Sequence, residues 1–411
     1  MSAKDKFPIK REAVFQPEFR EDLQYGLFYF APFDFQPTIR VIFGENTTNQ
    51  IGRLSKEFSG HRVLLVTDTG LLRSGHVERA LHSLQKESIK VFIFSDVAEN
   101  PSTCHVENGV RFAKENAPID LIIACGGGSA MDCAKGINFL LTNGGKMEDY
   151  WGVDKATQPM LPSIGIPTTA GTGSEAQSFA LISQEQTHIK MACGDKKARF
   201  HAVILDPALV KTAPQRVAAI AGIDAISHAV ESYVSTRRNP ISQMLAREAW
   251  RLLERSFEVI LKEPENIAAQ SQMLLGAHLA GAAIENSMLG AAHACANPLT
   301  AIYNIAHGIA VGLMLPHVIR FNNQVMNELY ADLLDAAKIS TTKSNQSGEQ
   351  LCQRIVELKT AAGLPQRLRE CNVEKHALPE LAQAAVSQWT GKFNPRQVTA
   401  IELLQLYEAA F

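Results

Sequence analysis

Short apolar runs of about five residues alternate with helix-forming stretches of roughly a dozen residues through the first half of this chain, and that rhythm leaves few folds open. Arg40–Val41–Ile42–Phe43–Gly44 reads as a strand stopped by a glycine turn, and Val63 to Thr67 as a buried strand of β-branched and aliphatic residues. His76 to Glu87 has helical periodicity, and Val91 to Phe94 is a third strand. Asn100–Pro101–Ser102 breaks the chain before a helix from about Thr103 to Asn116. Leu121 to Cys125 is a fourth strand with a helix over Ala130 to Leu141, and Ser163 to Ile166 is a further strand. Strands separated by a helix return to the same end of a sheet and so run parallel. The expectation is a Rossmann-like α/β domain with a parallel sheet.

Beyond Pro207 the strand-like runs disappear, and Ala, Leu, Glu and Gln dominate. Helices are expected over Arg216–Ser235, Ser242–Leu261, Ile267–Asn286, Ile309–Phe321, Gln350–Ala362 and Leu378–Trp389, with a polar surface loop at Thr341–Glu349. The chain thus divides into an N-terminal extension (1–36), an α/β nucleotide-binding domain (37–210) and an all-α domain (211–411). The extension, mixed in Phe, Pro and charge, is expected to lie over the domain or against a neighbouring subunit.

Chemistry concentrates in a few places. The strand Leu121–Cys125 runs into Gly126–Gly127–Gly128–Ser129 and then a helix. Glycines let a backbone approach a pyrophosphate, and the free N–H groups at the helix start bind it. The spacing is neither the common dinucleotide fingerprint nor a P-loop, and a tight turn without ligand is the alternative. Asp68 closes the 63–67 strand, where a carboxylate can bond an adenosine ribose and repel a 2′-phosphate, favouring NAD over NADP; a helix N-cap is its other reading. Pro167 to Glu175 packs four hydroxyls and two glycines into a donor-rich loop after an apolar strand. Gln177 and Phe179, which follow it, are expected to face a substrate.

Asp224 and His228 stand at i and i+4, so a helix puts both on one face. His293 and His307 follow later. One carboxylate and three imidazoles suit a divalent metal such as Fe or Zn, whereas a solvated polar stripe is the plainer account of the helical pair. A metal beside a phosphate-cradling loop points to an enzyme.

Together these segments resemble the iron-containing (group III) alcohol dehydrogenase family. The resemblance rests on Gly126 to Ser129 with Asp132 and Lys135, Pro167 to Glu175, Gly222–Ile223–Asp224–Ala225 with His228, His293, and Ala306–His307–Gly308. Leu315–Pro316–His317, Phe321–Asn322 and Asn394–Pro395–Arg396 agree as well, and the likeness runs from about residue 38 to the end. It implies a dehydroquinate synthase-like two-domain architecture with a site in the cleft. It implies a metal, Fe(II) or Zn(II), on Asp224, His228, His293 and His307. It implies NAD contacts from Asp68, Asn100, Gly127, Gly128, Ser129, Thr168, Thr169, Thr172 and Lys190. The activity implied is NAD-linked hydride transfer between small alcohols and carbonyl compounds, with the metal acting as Lewis acid on the substrate oxygen. One departure stands out: Asn297 occupies a position where the alcohol dehydrogenases commonly carry a second His, and an amide cannot act as general acid or base. Two rivals remain open at this level, namely an NAD- and metal-dependent lyase of the dehydroquinate synthase type and a non-catalytic NAD or metal sensor.

A formal net charge of −2 gives no electrostatic reason to bind nucleic acid or an anionic membrane. No apolar run reaches the roughly 20 residues of a membrane helix, and Met1 to Pro8 lacks the apolar core of a signal peptide. The seven cysteines (104, 125, 133, 193, 295, 352 and 371) are scattered and odd in number, as in a reducing cytoplasm, with Cys125 and Cys133 expected in the core and Cys295, between two motif residues, expected to pack, with lining the site as its alternative. Family likeness further implies a homodimer or higher homo-oligomer.

Overall fold

The computed structural model describes residues 33–187, 189–340 and 346–411. In chain order, β1 (Arg40–Phe43) and α1 (Ile51–Glu57) precede β2 (Arg62–Val66), α2 (Thr69–Arg73), α3 (His76–Lys86) and β3 (Lys90–Phe94). Next come α4 (Thr103–Glu115), β4 (Leu121–Gly126), α5 (Gly128–Asn143), β5 (Gly152–Val153), β6 (Ser163–Pro167), β7 (Phe179–Ser183), β8 (Lys190–Gly194) and β9 (Ala202–Leu205). The helical half follows with α6 (Pro207–Val210), α7 (Gln215–Val234), α8 (Pro240–Lys262), α9 (Ile267–Ser287), α10 (Ala291–Tyr303) and α11 (His307–Ala336). It ends with α12 (Ser347–Ala361), α13 (Leu378–Val386) and α14 (Ala400–Ala410).

The main sheet has the order β1-β9-β6-β4-β2-β3, and every pair in it is parallel. This is the α/β sheet that the alternation predicts. The period-2 geometry of a strand sorts its side chains onto two faces. Leu64, Val66, Ile122 and Ala124 pack with Val106 and Ile137 of α4 and α5. Val63, Leu65, Leu121 and Ile123 pack on the other face with Ile51, Val77 and Leu84 of α1 and α3. Both faces are covered, which is why β2 and β4 read as unbroken apolar runs.

The topology fixes where a ligand can bind. From β2 the chain moves outward to β3, then returns to β4 on the opposite side of β2. The strand order therefore reverses between β2 and β4, and the crevice at their carboxyl ends is the ligand position of doubly wound sheets. Thr67–Asp68 and Gly126–Gly127 are the residues that end these two strands.

Several expectations change. A small second sheet, β5-β8-β7, contains an antiparallel β7–β8 pair to which the sequence reading assigned no element. Helix α10 was also missed, because Pro298 in its middle reads as a breaker. The proline removes the N–H that the Ala294 carbonyl would receive, and at the next carbonyl, that of Cys295, the Tyr407 hydroxyl donates at 2.6 Å. Helix α11 continues past Phe321 to Ala336 with Pro316 inside it. Helix α12 begins at Ser347, within the stretch expected as loop, whose residues 341–345 lie outside the described residues. The N-terminal extension lies outside them through residue 32.

The membrane expectation also needs amendment. Helix α7 is long and apolar enough to cross a membrane by length and composition alone, yet 78% of its apolar window is buried inside the protein. It is the core helix of the second half, and it carries Asp224 and His228.

Candidate active site

Helix α7 supplies Asp224 and His228 one turn apart, both buried. His293 sits in the first turn of α10, and His307 is the first residue of α11. Close approach of α11 to α7 depends on Gly308, since a Cβ there would stand 2.2 Å from the Ile220 carbonyl oxygen. Only glycine allows the first turn of α11 to deliver His307 to the α7 surface.

The four side chains converge. Asp224 Oδ1 lies 3.5 Å from His228 Nε2, 3.8 Å from His293 Nε2 and 3.9 Å from His307 Nε2. Bonds of about 2.1 Å to a tetrahedral ion hold donor atoms roughly 3.4 Å apart, so the observed separations accommodate a divalent cation with little movement. Asp224 Oδ1 and His293 Nε2 are buried without a hydrogen-bond partner. Leaving such atoms unpaired is costly, and a cation bound among them satisfies both at once. Asp224, His228 and His293 alone already place their ligand atoms within 4.8 Å of one another.

The electrostatics of Asp224 and His307 agree with that arrangement. Burial alone would raise the Asp224 carboxyl, but His228, His293 and His307 outweigh it and hold the group far below the usual carboxylate range. Burial pushes His307 down to about 3 against the attraction of Asp224, so its imidazole is neutral, as a ligand must be.

The phosphate loop lies at the crevice. Gly127 is the N-cap of α5 and offers no side chain, and the loop residues Gly127 to Ser129 are partly exposed. The hydroxyl-rich loop after β6 covers it: the Thr168 N–H donates to the Gly126 carbonyl at 3.0 Å. A Cβ at Gly128 would fall 2.7 Å from Thr172 Cγ2, and Thr169 Oγ1 stands 3.3 Å from where a Cβ of Gly127 would be. Thr168, Thr169 and Thr172 are thereby gathered over the start of α5.

Asp68 proves to be the N-cap of α2, accepting from the Leu71 N–H at 3.0 Å through Oδ1. Its Oδ2 still turns toward the loop, 3.7 Å from where a Cβ of Gly126 would stand. Asn100 holds a left-handed conformation and accepts from Lys190 Nζ at 3.1 Å. The Lys190 ammonium is lowered by burial against the pull of Asp132 and Asp224, and its charge in turn helps to lower His307.

Asn297 lies one turn beyond His293 and donates to Gln388 Oε1 at 2.9 Å. Beside Gln388, Trp389 stacks on Phe179 at 5.6 Å, while Gln177 donates to the Thr172 carbonyl. Two contributions escaped the sequence reading. The Lys135 ammonium, buried in α5, donates to the carbonyls of Ser174 and Phe179 at 2.7 and 2.8 Å, locking the hydroxyl-rich loop to the phosphate helix. Glu231 meets His293 Nδ1 at 2.5 Å. It lies at i+7 from Asp224 and i+3 from His228, so the helical stripe that exposed those two also pointed to it.

Comparison with known proteins gives a consistent picture. The profile of the family described as iron-containing alcohol dehydrogenase matches residues 37–207, and its C-terminal counterpart matches residues 218–411. A 1,3-propanediol dehydrogenase of Klebsiella pneumoniae is 33% identical over 387 residues, covering 93% of this chain and 100% of that protein. An NAD-dependent methanol dehydrogenase of Bacillus methanolicus is 30% identical, covering 92% of this chain and 99% of its own length. The crystal structure of a 1,3-propanediol oxidoreductase superposes with a TM-score of 0.90 at 32% identity, covering 93% of this chain and 100% of that one.

Proposed function

This chain belongs to the iron-containing alcohol dehydrogenase family, and we propose that Asp224, His228, His293 and His307 hold its divalent metal. It is an oxidoreductase acting on CH–OH groups, an NAD-linked alcohol dehydrogenase and carbonyl reductase with a two-domain fold. The observation that carries the metal reading is the buried, unpartnered Asp224 Oδ1 facing three imidazole nitrogens. Fe(II) is the native ion in this proposal, and Zn(II) fits the same ligands.

When bound, the metal supplies Lewis acidity to the substrate oxygen and NAD supplies the hydride acceptor. The chain's own groups do the rest. The N–H groups of Gly127, Gly128 and Ser129 would hold the pyrophosphate at the positive end of α5, with Thr168, Thr169 and Thr172 beside it. Asp68 would bond the adenosine ribose and repel a 2′-phosphate, making NAD the preferred cofactor. Asn100 accepts from the Lys190 ammonium and steadies it, and both would contact NAD. The Asn297 amide does not titrate near neutral pH, so it cannot take the alcohol proton. The phenyl ring of Phe179 against Trp389 walls the entrance. Relatives named for 1,3-propanediol and methanol support short alcohols and diols as the substrate class.

Two further points belong to this reading. Free cysteines throughout fit a reducing, cytoplasmic setting. The sheet edge exposes Val41 and Phe43, with Phe33 and Phe35 just before it, which supports a homodimer or higher homo-oligomer covering that edge. Light scattering is expected to give a multiple of 45.0 kDa, and a monomer across the micromolar range would refute the assembly.

The function itself is tested on metal-stripped protein by following NADH at 340 nm with short alcohols, diols and matching aldehydes. Turnover is expected only after Fe(II) or Zn(II) is restored, and with NAD well ahead of NADP. Equal activity in the presence of a strong chelator would reject the metal-centred reading.

A further inference from the structure

We propose that Glu231 is the positioning residue of the metal centre, fixing His293 so that its Nε2 lone pair points at the ion. The inference rests on the reading of His293 as a metal ligand. Neutral imidazole carries one proton, and a proton on Nε2 would block coordination there. A carboxylate that accepts from Nδ1–H settles the choice of tautomer and the ring's rotation together.

The geometry of Glu231 suits this task. It is 3% exposed, on the same stripe of α7 as Asp224 and His228. Its Oε2 lies 2.5 Å from His293 Nδ1 and 3.4 Å from the His293 backbone N–H, while Oε1 accepts from the Ala292 N–H at 2.7 Å. Helix α10 has Gly290 as its N-cap and no capping side chain of its own, so Glu231 supplies the missing acceptors from α7. The negative carboxylate also faces the positive end of the helix dipole. One side chain thus ties the backbone and the ring of His293 to the helix that carries the other two buried ligands. Among the described residues, neither His228 nor His307 has a carboxylate at its outer ring nitrogen.

The network behind Glu231 explains motifs that the reaction itself does not use. Asn394 Oδ1 accepts from the Ala291 N–H at 3.3 Å and from Asn322 Nδ2 at 2.9 Å. Asn394 Nδ2 donates back to Asn322 Oδ1 and to the Arg396 carbonyl. The Phe321–Asn322 and Asn394–Pro395–Arg396 segments therefore brace the start of α10 beside Glu231, since a Cβ at Gly290 would stand 2.8 Å from Glu231 Oε1 and 3.2 Å from Asn394 Oδ1.

The test compares Glu231→Gln, Glu231→Asp and His293→Ala in the full-length, metal-stripped chain. Asn239→Ala, which removes the N-cap of α8, a helix that carries none of the four residues, controls for simple destabilisation. Zn(II) affinity is read by competition with a chromophoric chelator, and Co(II) absorption reports the ligand field. Glu231→Gln replaces one accepting oxygen with an NH2, which faces either the Ala292 N–H or the His293 donors. It should weaken Zn(II) binding by about 10- to 100-fold and alter the Co(II) spectrum. Glu231→Asp should recover part of the affinity, and Asn239→Ala should lower thermal stability without changing the spectrum. If Glu231→Gln fails to fold, Glu231→Asp carries the test, because withdrawing the carboxylate by one methylene must still weaken binding. Wild-type affinity and spectrum in the folded Glu231 variants, with metal lost in His293→Ala, would overturn the positioning role alone. Undiminished metal binding in His293→Ala would instead refute the underlying ligand set.

Discussion

Replacing His307 with alanine should reduce NAD-linked turnover by roughly three orders of magnitude while the protein stays folded. His307 is the first residue of α11, and its side chain is 26% exposed against 5% for Asp224, so its removal opens little core. What is lost is one of three imidazole nitrogens facing Asp224 Oδ1. Several kcal/mol of transition-state stabilisation depend on the ion they hold, which sets the size of the effect. Asp224→Ala should be at least as severe, since it removes the only anionic member of the set. The measurements are kcat/KM with Fe(II) present and a thermal melt of each variant. A His307→Ala enzyme within tenfold of wild type would mean that the metal is held elsewhere.

Gly128→Val is expected to abolish NAD binding with the metal centre intact. A Cβ at this position lies 2.7 Å from Thr172 Cγ2, and valine adds two methyl groups beyond that. Either the hydroxyl-rich loop lifts away or the start of α5 shifts, and both withdraw donors from the pyrophosphate. Each charge-assisted hydrogen bond lost costs about 1.5–3 kcal/mol, so losing two implies at least a 100-fold weaker Kd, on the order of what calorimetry reads easily. Zn(II) affinity should stay at the wild-type level, because the four ligands reside on α7, α10 and α11. Loss of both together would show that the two sites are not separable.

Much of this was legible in the residues because the governing patterns are local. Apolar runs of strand length with intervening helices gave the parallel sheet, and i, i+4 spacing put Asp224 and His228 on one face. Where the reading failed, tertiary contacts decided the outcome. Helix α10 persists through Pro298 because its residues are buried and Tyr407 serves a neighbouring carbonyl, neither of which periodicity can show. The β7–β8 pair is a hairpin of two consecutive five-residue strands, each held by pairing with the other rather than by a long apolar run. Asp68 was open between ribose contact and N-cap, and its two oxygens divide the tasks: Oδ1 caps α2 while Oδ2 faces the loop. Asn297 stands out only against the family pattern, and the structure adds that its amide is engaged by Gln388, a residue some ninety positions away.

The central claim is that one ion sits among Asp224, His228, His293 and His307. Anomalous diffraction at the iron edge from Fe(II)-loaded crystals tests it most directly. The account predicts a single strong peak within about 2.0–2.3 Å of an Asp224 carboxylate oxygen and of the Nε2 atoms of all three histidines. A peak bound by other residues, or none in crystals whose dissolved protein still turns over, would contradict it.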